Sequence, residues 1–294
     1  MVNLHHVSYF GLFCNLPTDR RIFFKLSVVK RLFFSLALLL GALTASAQIL
    51  VGPIAGPNFS WTAFDDKDLK DAYNVSPIIG FHAGMALSFR VQKRFFLHSS
   101  FLYSTKGKIY KAENDPLFKN EVRYKYIELP IIYTVEFKGN FGGNKEYKWY
   151  IGAGPNVSYW LGGRGKFSSS DLSEVGIGEL DYKVVFNKHP EDVGDDEMGV
   201  EDPNRVQLGL TVATGFVFEP MGNQKFMLFF RYELGHSFLS RTSDGVFKST
   251  LYTDEMRIRN QGFRISLAYL IDLKTEQRKK GKSTVKESNK RRRR

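Results

Sequence analysis

The stretch from 122 to 137, VRYKYIELPIIYTVEF, alternates between two kinds of side chain. From Ile127 onward one face is wholly apolar, whereas the other face carries carboxylates and the hydroxyl groups of threonine and tyrosine. A period of two residues is typical of a β-strand, in which successive side chains point to opposite faces. Such a strand can bury its apolar face in a soluble sheet or present it to lipid in a membrane barrel.

Seven further segments alternate in the same way, and the set favours the membrane barrel. Each segment is long enough to cross a bilayer as a tilted strand of about 9–11 residues, whereas strands average about 5–6 residues in soluble proteins. Aromatic residues gather near the segment ends, as in the aromatic girdles of outer-membrane barrels. The prediction is an all-β, eight-stranded antiparallel up-and-down transmembrane β-barrel with strands at 48–61, 77–91, 95–105, 122–137, 147–161, 206–218, 226–240 and 262–273.

The connections between these segments alternate in length. The long ones are 62–76, 106–121, 162–205 and 241–261, and the short ones are 92–94, 138–146 and 219–225. In outer-membrane barrels the short connections are periplasmic turns and the long ones are surface loops. The pattern therefore predicts that both chain termini lie in the periplasm of a Gram-negative bacterium.

The N-terminal region predicts export. Residues 30–47 carry two cations, an apolar run and an Ala-Ser-Ala ending, which together indicate a secretory signal peptide. The apolar run is too short for a transmembrane helix. Residues 1–29 are interpreted as sequence upstream of the true translation start, and 48–273 as the barrel domain. The single cysteine, Cys14, precedes the barrel, so the mature chain has no disulfide framework and no thiol site.

The net charge of +12 is unevenly distributed along the chain. The segment 274–294 contains eleven Lys/Arg and two Glu, whereas the barrel region is close to neutral. The basic balance is therefore no evidence for nucleic-acid binding by the domain. The tail has almost no apolar residues and is predicted to be a disordered periplasmic segment. One interpretation is that the tail only increases solubility. The functional interpretation is that the tail contacts an anionic periplasmic partner.

The predicted interior face carries charged residues. In an eight-stranded barrel the interior is just wide enough for side chains to fill, and buried charges must pair. We therefore predict a salt-bridged plug rather than an ion pathway or a catalytic carboxylate pair. The predicted barrel-interior charge network comprises Glu128, Arg231, Glu233, Arg264 and Arg90, and the other ionisable groups on inward faces are His82, His98 and Glu136.

The long connection 162–205 is rich in acidic residues. Asp195, Asp196, Glu197, Glu201 and Asp202 offer the oxygen ligands that divalent cations prefer. Their spacing matches no calcium loop, so a solvated acidic loop is the favoured interpretation and no metal is predicted. The alternation over 180–186 predicts a strand extension or hairpin above the membrane. No nucleophile elbow, phosphate loop or metal-binding histidine spacing is present in the sequence, so neither a cofactor nor an enzymatic activity is predicted.

Four motifs resemble the PorT-family outer-membrane β-barrels of Bacteroidetes over essentially all of 48–273. They are Gly56-Pro57-Asn58-Phe59-Ser60, Tyr103-Ser104-Thr105-Lys106-Gly107, Tyr126-Ile127-Glu128-Leu129-Pro130 and Gly152-Ala153-Gly154-Pro155. The namesake of that family is required for secretion by the type IX (Por) system. The resemblance implies a non-enzymatic structural, assembly or binding component that contacts outer-membrane lipid and a periplasmic or secretion-system protein.

Three alternatives remain open at the level of sequence. A small pore or transporter would require an open lumen. An outer-membrane enzyme would require catalytic groups clustered at the outer rim. A soluble periplasmic barrel would enclose an apolar ligand cavity and would need no lipid.

Overall fold

The computed structural model describes residues 49–141, 145–220, 224–242 and 244–273. The predicted upstream sequence, the predicted signal peptide and the basic tail lie outside the described residues. The described chain is dominated by one sheet of thirteen strands. These are β1 Ile49–Phe64, β2 Tyr73–Ser76, β3 Ile78–Arg90, β4 Phe95–Ala112, β5 Lys119–Phe141, β6 Lys145–Ser168, β7 Leu180–Phe186, β8 Glu197–Val200, β9 Val206–Phe218, β10 Gln224–Phe238, β11 Gly245–Phe247, β12 Thr253–Asp254 and β13 Ile258–Asp272.

The sheet closes into a β-barrel. Strands β1, β3, β4, β5 and β6 pair antiparallel in succession, and β9, β10 and β13 continue the series. The pairings of β13 with β1 and of β6 with β9 complete a ring. Each strand of this ring overlaps one of the eight predicted segments. The all-β barrel prediction is confirmed, because these strands close into a ring and their side chains point to its two faces.

A plain eight-stranded barrel is nevertheless an incomplete description. Three ring strands, β4, β5 and β6, run well past the predicted segments, so the connection predicted at 106–121 shrinks to 113–118. The five short strands β2, β7, β8, β11 and β12 join the same sheet at this end. We call this part the extension. Its strand ends escaped prediction because their outward residues, such as Lys111 and Lys166, are polar and interrupt the apolar face by which the barrel strands are recognised.

The outward face of the ring forms an apolar belt. Along β4 the side chain of Phe101 is 59% exposed, whereas that of its neighbour Leu102 is 0% exposed. The same alternation leaves large apolar side chains exposed on β3, β5, β6, β9, β10 and β13, among them Ile79, Met85, Leu129, Tyr133, Ile151, Leu208, Leu210, Phe218, Leu234, Leu267 and Ile271. A continuous exposed apolar surface of this size marks a membrane or protein contact.

Inward glycines allow the strands to approach closely. At Gly56 a Cβ atom would lie 1.9 Å from the backbone oxygen of Ile265 on β13, and at Gly154 it would lie 1.9 Å from that of Ile131 on β5. Neither contact leaves room for any side chain. Glycine in a strand interior often marks such a close approach of another backbone. Two of the four sequence motifs therefore have a structural explanation in the curvature of a narrow barrel.

Two short α-helices lie in the connections at the extension end. Helix α1, Lys67–Ala72, begins after Asp66, whose side chain accepts a hydrogen bond from the Asp68 N–H. Helix α2, Ser170–Glu174, begins after Ser169, which caps the Leu172 N–H. A 3₁₀-helix spans Pro190–Asp192. None of the helices in the described residues has the length and apolar character needed to cross a membrane.

Candidate functional site

The interior of the barrel is filled by three layers of side chains. The layer nearest the short turns is apolar. It combines side chains from the start of β1 and the end of β13 with others from β3, β4, β6, β9 and β10, namely Leu50, Ile54, Ala86, Leu102, Tyr150, Val217, Met227, Phe229, Ala268 and Leu270. These apolar residues lie on the inward face, for which the sequence analysis considered only the ionisable residues. The lumen is therefore closed by hydrophobic packing at this end.

The middle layer is a buried ion-pair network. The Glu128 carboxylate accepts hydrogen bonds from both terminal nitrogens of Arg264, and the distance from Arg264 Nη2 to Glu128 Oε1 is 2.8 Å. The same Nη2 atom donates to Glu233 Oε2 at 2.6 Å. One guanidinium thus bridges two carboxylates that come from β5 and β10. The two carboxylates and Arg264 all have side chains less than a tenth exposed.

Lys106 completes this network from β4. Its Nζ lies 2.6 Å from Glu128 Oε1 and also forms an ion pair with Glu233. With Lys106 the network holds two cations and two carboxylates, so its formal charge is balanced. Sequence reasoning missed Lys106 because it assigned residue 106 to a loop. Residue 106 is two positions from Ser104 and four from Leu102, which both face inward on β4. This spacing was the signal that could have identified Lys106 as an inward residue.

Two neutral side chains satisfy further oxygen lone pairs of the network. Ser104 Oγ donates to Glu128 Oε1 at 2.8 Å, and Asn156 Nδ2 donates to Glu233 Oε1 at 3.0 Å. Fully desolvated carboxylates need several such partners, because unpaired charge is costly in a medium of low dielectric constant. The geometry is that of a fixed structural crosslink between β4, β5, β10 and β13.

Arg231 is not part of the ion-pair network, contrary to the prediction. It is directly opposite Arg264 in the β10–β13 pairing, and like charges opposed in this way repel. Its guanidinium instead lies 4.6 Å from the centre of the Phe229 ring, next to the apolar layer. The Nε and Nη1 atoms of Arg231 are buried and have no hydrogen-bond partner among the described residues.

Arg90 was also predicted in the network and lies elsewhere. It is exposed at the short-turn end of β3, where Nη2 donates to the carbonyl of Lys93 at 3.0 Å. Position 90 is near the end of its strand, so its side chain lies at the barrel mouth and not at the barrel centre, even if it is on the inward face. This mouth also contains Glu136, Lys148, Glu219 and Lys225.

The two inward histidines lie inside the barrel but outside the ion pairs. His82 Nε2 is 2.7 Å from the hydroxyl oxygen of Ser266. His98 packs against the rings of Phe96, Tyr150 and Phe229, at centroid distances of 6.0, 5.9 and 5.7 Å. Both are therefore held as packed, buried side chains.

The third layer is an aromatic core that continues into the extension. It includes Tyr110, Tyr124, Tyr126, Trp160, Phe167, Tyr182 and Phe247. At its lower edge Asn260 Nδ2 donates to the Tyr126 hydroxyl at 2.9 Å and to Gln207 Oε1 at 3.2 Å. This packing covers the ion-pair network from the side of the long loops.

A second buried ion pair lies within the extension, above the apolar belt. Lys108 Nζ is 2.7 Å from Asp254 Oδ1, and both side chains are 0% exposed. The ammonium also lies 4.4 Å from the centre of the Tyr110 ring. Burial lowers the pKa of Lys108, and the Asp254 carboxylate opposes that shift. The pair fastens the connection between β10 and β13 to β4.

Several acidic residues of the connection 162–205 pair with basic side chains of the same connection. Lys183 lies 3.1 Å from Asp196 and lowers the pKa of that carboxyl group through a hydrogen bond. Lys188 does the same for Glu197. His189 lies 3.1 Å from Glu201. Within the described part of the chain no three metal-ligating side chains cluster around a common point.

The predicted strand extension over 180–186 is present as β7. It pairs antiparallel with the upper part of β6 and parallel with β8. The acidic connection is thus largely folded rather than an open solvated loop, which corrects that part of the prediction. The alternation of Leu180, Tyr182 and Val184 was the signal that identified this strand, whereas β8 is too short for a period to be visible.

The comparison with known families supports the membrane interpretation of the belt. Residues 44–237 match the family described as "Outer membrane protein beta-barrel domain". The chain belongs to this family. Its members are outer-membrane proteins, so the exposed apolar belt is the surface that contacts lipid in the outer membrane of a Gram-negative bacterium. No curated protein matches the chain.

Several crystal structures of outer-membrane proteins are similar to this chain. Neisserial surface protein A is 13% identical with a TM-score of 0.35, and the match covers 78% of this chain and 99% of that one. The attachment invasion locus protein Ail of Yersinia pestis is 11% identical with a TM-score of 0.33, covering 76% and 99%. OprG from Pseudomonas aeruginosa is 12% identical with a TM-score of 0.39, covering 78% and 94%.

Proposed function

We propose that this outer-membrane protein is a closed, non-enzymatic barrel that acts as a structural, assembly or binding component. The observation that carries the proposal is the filled interior. An apolar layer, a balanced ion-pair network and an aromatic core follow one another along the barrel axis. The paired charges of the network stabilise a fixed arrangement, and the packed layers on both sides of it leave no hydrated path for a solute.

The proposed orientation places the extension outside the cell and both ends of the barrel domain in the periplasm. The start of β1 and the end of β13 lie at the same end as the short turns. Bacterial outer-membrane barrels have short periplasmic turns and longer extracellular loops. The extension, with its folded aromatic core, is then the part that meets partners from outside, and the short-turn end and the basic tail meet periplasmic proteins.

The process proposed for this protein is type IX secretion. Its support is the resemblance of the four sequence motifs to the PorT family. Measuring the secreted cargo of that system in a deletion strain, with and without the gene restored, tests this process separately from the closed-barrel proposal.

Planar-bilayer recording tests the closed barrel against the alternative of a small pore. We expect the refolded protein to insert without discrete conductance steps, because the apolar layer closes the lumen at the short-turn end. The positive control is an open porin reconstituted in the same bilayers, which should show discrete conductance steps if the recording detects insertion. Regular unitary steps from the unmodified protein would contradict the proposal and favour the pore.

A further inference from the structure

A row of like charges crosses three adjacent strands of the extension. Arg123 on β5 is directly opposite Arg164 on β6, and Arg164 is directly opposite Lys183 on β7. All three side chains are exposed on the outer surface. Like charges placed directly opposite each other on a sheet are destabilising. The row therefore needs an explanation other than strand pairing.

A β-bulge is responsible for the direction of Arg164. The β5–β6 register shifts between Lys125 and Tyr126, and Gly162 has a φ of +144°, which favours glycine. Tyr159 and Leu161 are exposed on β6 before the shift, and Arg164 and Lys166 are exposed after it. With unbroken alternation Arg164 would point inward. Bulges commonly re-aim a side chain in this way, and here the result is an outward cation.

The cations of this surface are incompletely neutralised. Arg123 Nη2 lies 3.3 Å from Glu121, and Lys183 lies 3.1 Å from Asp196. Arg164, in the middle of the row, and Lys125, two residues below Arg123, have no anionic partner among the described residues. We call Arg123, Lys125, Arg164 and Lys183 the cationic row.

The cationic row lies immediately above the lipid-facing belt. Ile127 on β5 and Tyr159 on β6 are paired at the upper edge of the belt, and Tyr159 is next paired with the exposed Val206 on β9. With a rise of about 3.3 Å per residue and a strand tilt of about 40°, Lys125 is about 5 Å and Arg123 about 10 Å above this edge. Those heights correspond to the headgroup region of a bilayer.

We propose that the cationic row binds the phosphate groups of lipid A, the phosphorylated glycolipid in the outer leaflet of the outer membrane. The inference rests on the proposed orientation, which places this end of the barrel outside. Arg164 presents the planar donor fork that suits phosphate oxygens, and Lys125 adds a mobile point charge nearer the acyl chains. A bound phosphate relieves the repulsion between the opposed cations.

Binding of purified lipid A to the detergent-solubilised full-length protein tests this inference. The probes are diphosphorylated lipid A, monophosphorylated lipid A and phosphatidylglycerol. The test variant is Lys125→Gln/Arg164→Gln. The matched control is Lys67→Gln/Lys70→Gln, which removes the same charge from exposed positions of α1. We expect about tenfold weaker binding of diphosphorylated lipid A by the test variant, equivalent to about 1.4 kcal/mol, and unchanged binding by the control.

Several outcomes would overturn the inference. One is equal affinity of the test variant and the unmodified protein for diphosphorylated lipid A. Others are an equal loss in the control variant, equal binding of the two lipid A forms, or equal binding of phosphatidylglycerol. Cell fractionation of the same variants separates this result from the proposed function. If the protein is in the outer-membrane fraction but shows no preference for lipid A, only the assignment of the cationic row as a phosphate site is rejected.

Discussion

Replacing Glu128 by glutamine should lower the free energy of unfolding by about 3–5 kcal/mol, the cost of removing one partner of a buried ion pair. The change leaves the Arg264 guanidinium and the Lys106 ammonium to share the single carboxylate of Glu233 in the barrel centre. Urea unfolding in detergent micelles, followed by the gel shift between folded and unfolded protein, measures the effect.

The same strand offers a matched control for this substitution. Glu121 pairs with Lys119 and Arg123 near the surface, at 3.0 and 3.3 Å. Exposed ion pairs contribute about 0–1 kcal/mol, so Glu121→Gln should change the stability by no more than that. Adding Lys106→Met to Glu128→Gln rebalances the network and should recover part of the loss. Equal effects of Glu128→Gln and Glu121→Gln would show that the network is not the crosslink described here.

Replacing Asp254 by asparagine should loosen the extension while the barrel below it stays folded. The Lys108 ammonium, 0% exposed, then loses the only carboxylate with which it forms an ion pair in the described part of the chain. The expected cost is again about 3–5 kcal/mol, but it falls on the local opening of β11, β12 and their neighbours. Faster amide hydrogen exchange in 244–258, with an unchanged unboiled gel mobility, is the expected result.

An exposed carboxylate provides the comparison for Asp254. Asp65 lies 3.2 Å from Arg259 and 3.5 Å from Arg257 at the surface. Asp65→Asn should leave exchange in 244–258 nearly unchanged, since surface pairs contribute little. Adding Lys108→Met to Asp254→Asn removes the stranded cation and should restore much of the protection. Accelerated exchange throughout the barrel strands would contradict a separate role for this pair.

The alternation along the strands predicted which side chains face the barrel interior, in addition to the strands themselves. Glu128, Glu233 and Arg264 were assigned to inward faces from the alternation alone. In a narrow barrel, inward side chains at the same height along the axis are close enough to contact one another. Apolar residues at the alternate positions gave the belt in the same way. The two-residue period of each strand and the width of the barrel together therefore predict much of the fold and part of the packing in the interior.

The residues that sequence reasoning placed wrongly depend on strand register. Arg231 is inward as predicted, but it lies opposite Arg264 and packs on the Phe229 ring instead of forming an ion pair, and no single strand reveals that arrangement. Lys106 was missed because the outward positions of the upper part of β4 include Gly107 and Lys111, which interrupt the apolar face that marks a lipid-facing strand. The strands β8, β11 and β12 have only two to four residues each, too few to show a period.

Gel mobility combined with protease treatment of intact cells tests the central claim most directly. The account predicts a heat-modifiable protein in the outer-membrane fraction, migrating faster before boiling than after it. It also predicts that any cleavage in intact cells falls at the extension end, for example near the exposed residues of 174–181, and that an epitope placed after 273 stays protected. A soluble protein without a mobility shift, or cleavage of the epitope in intact cells, would contradict the account.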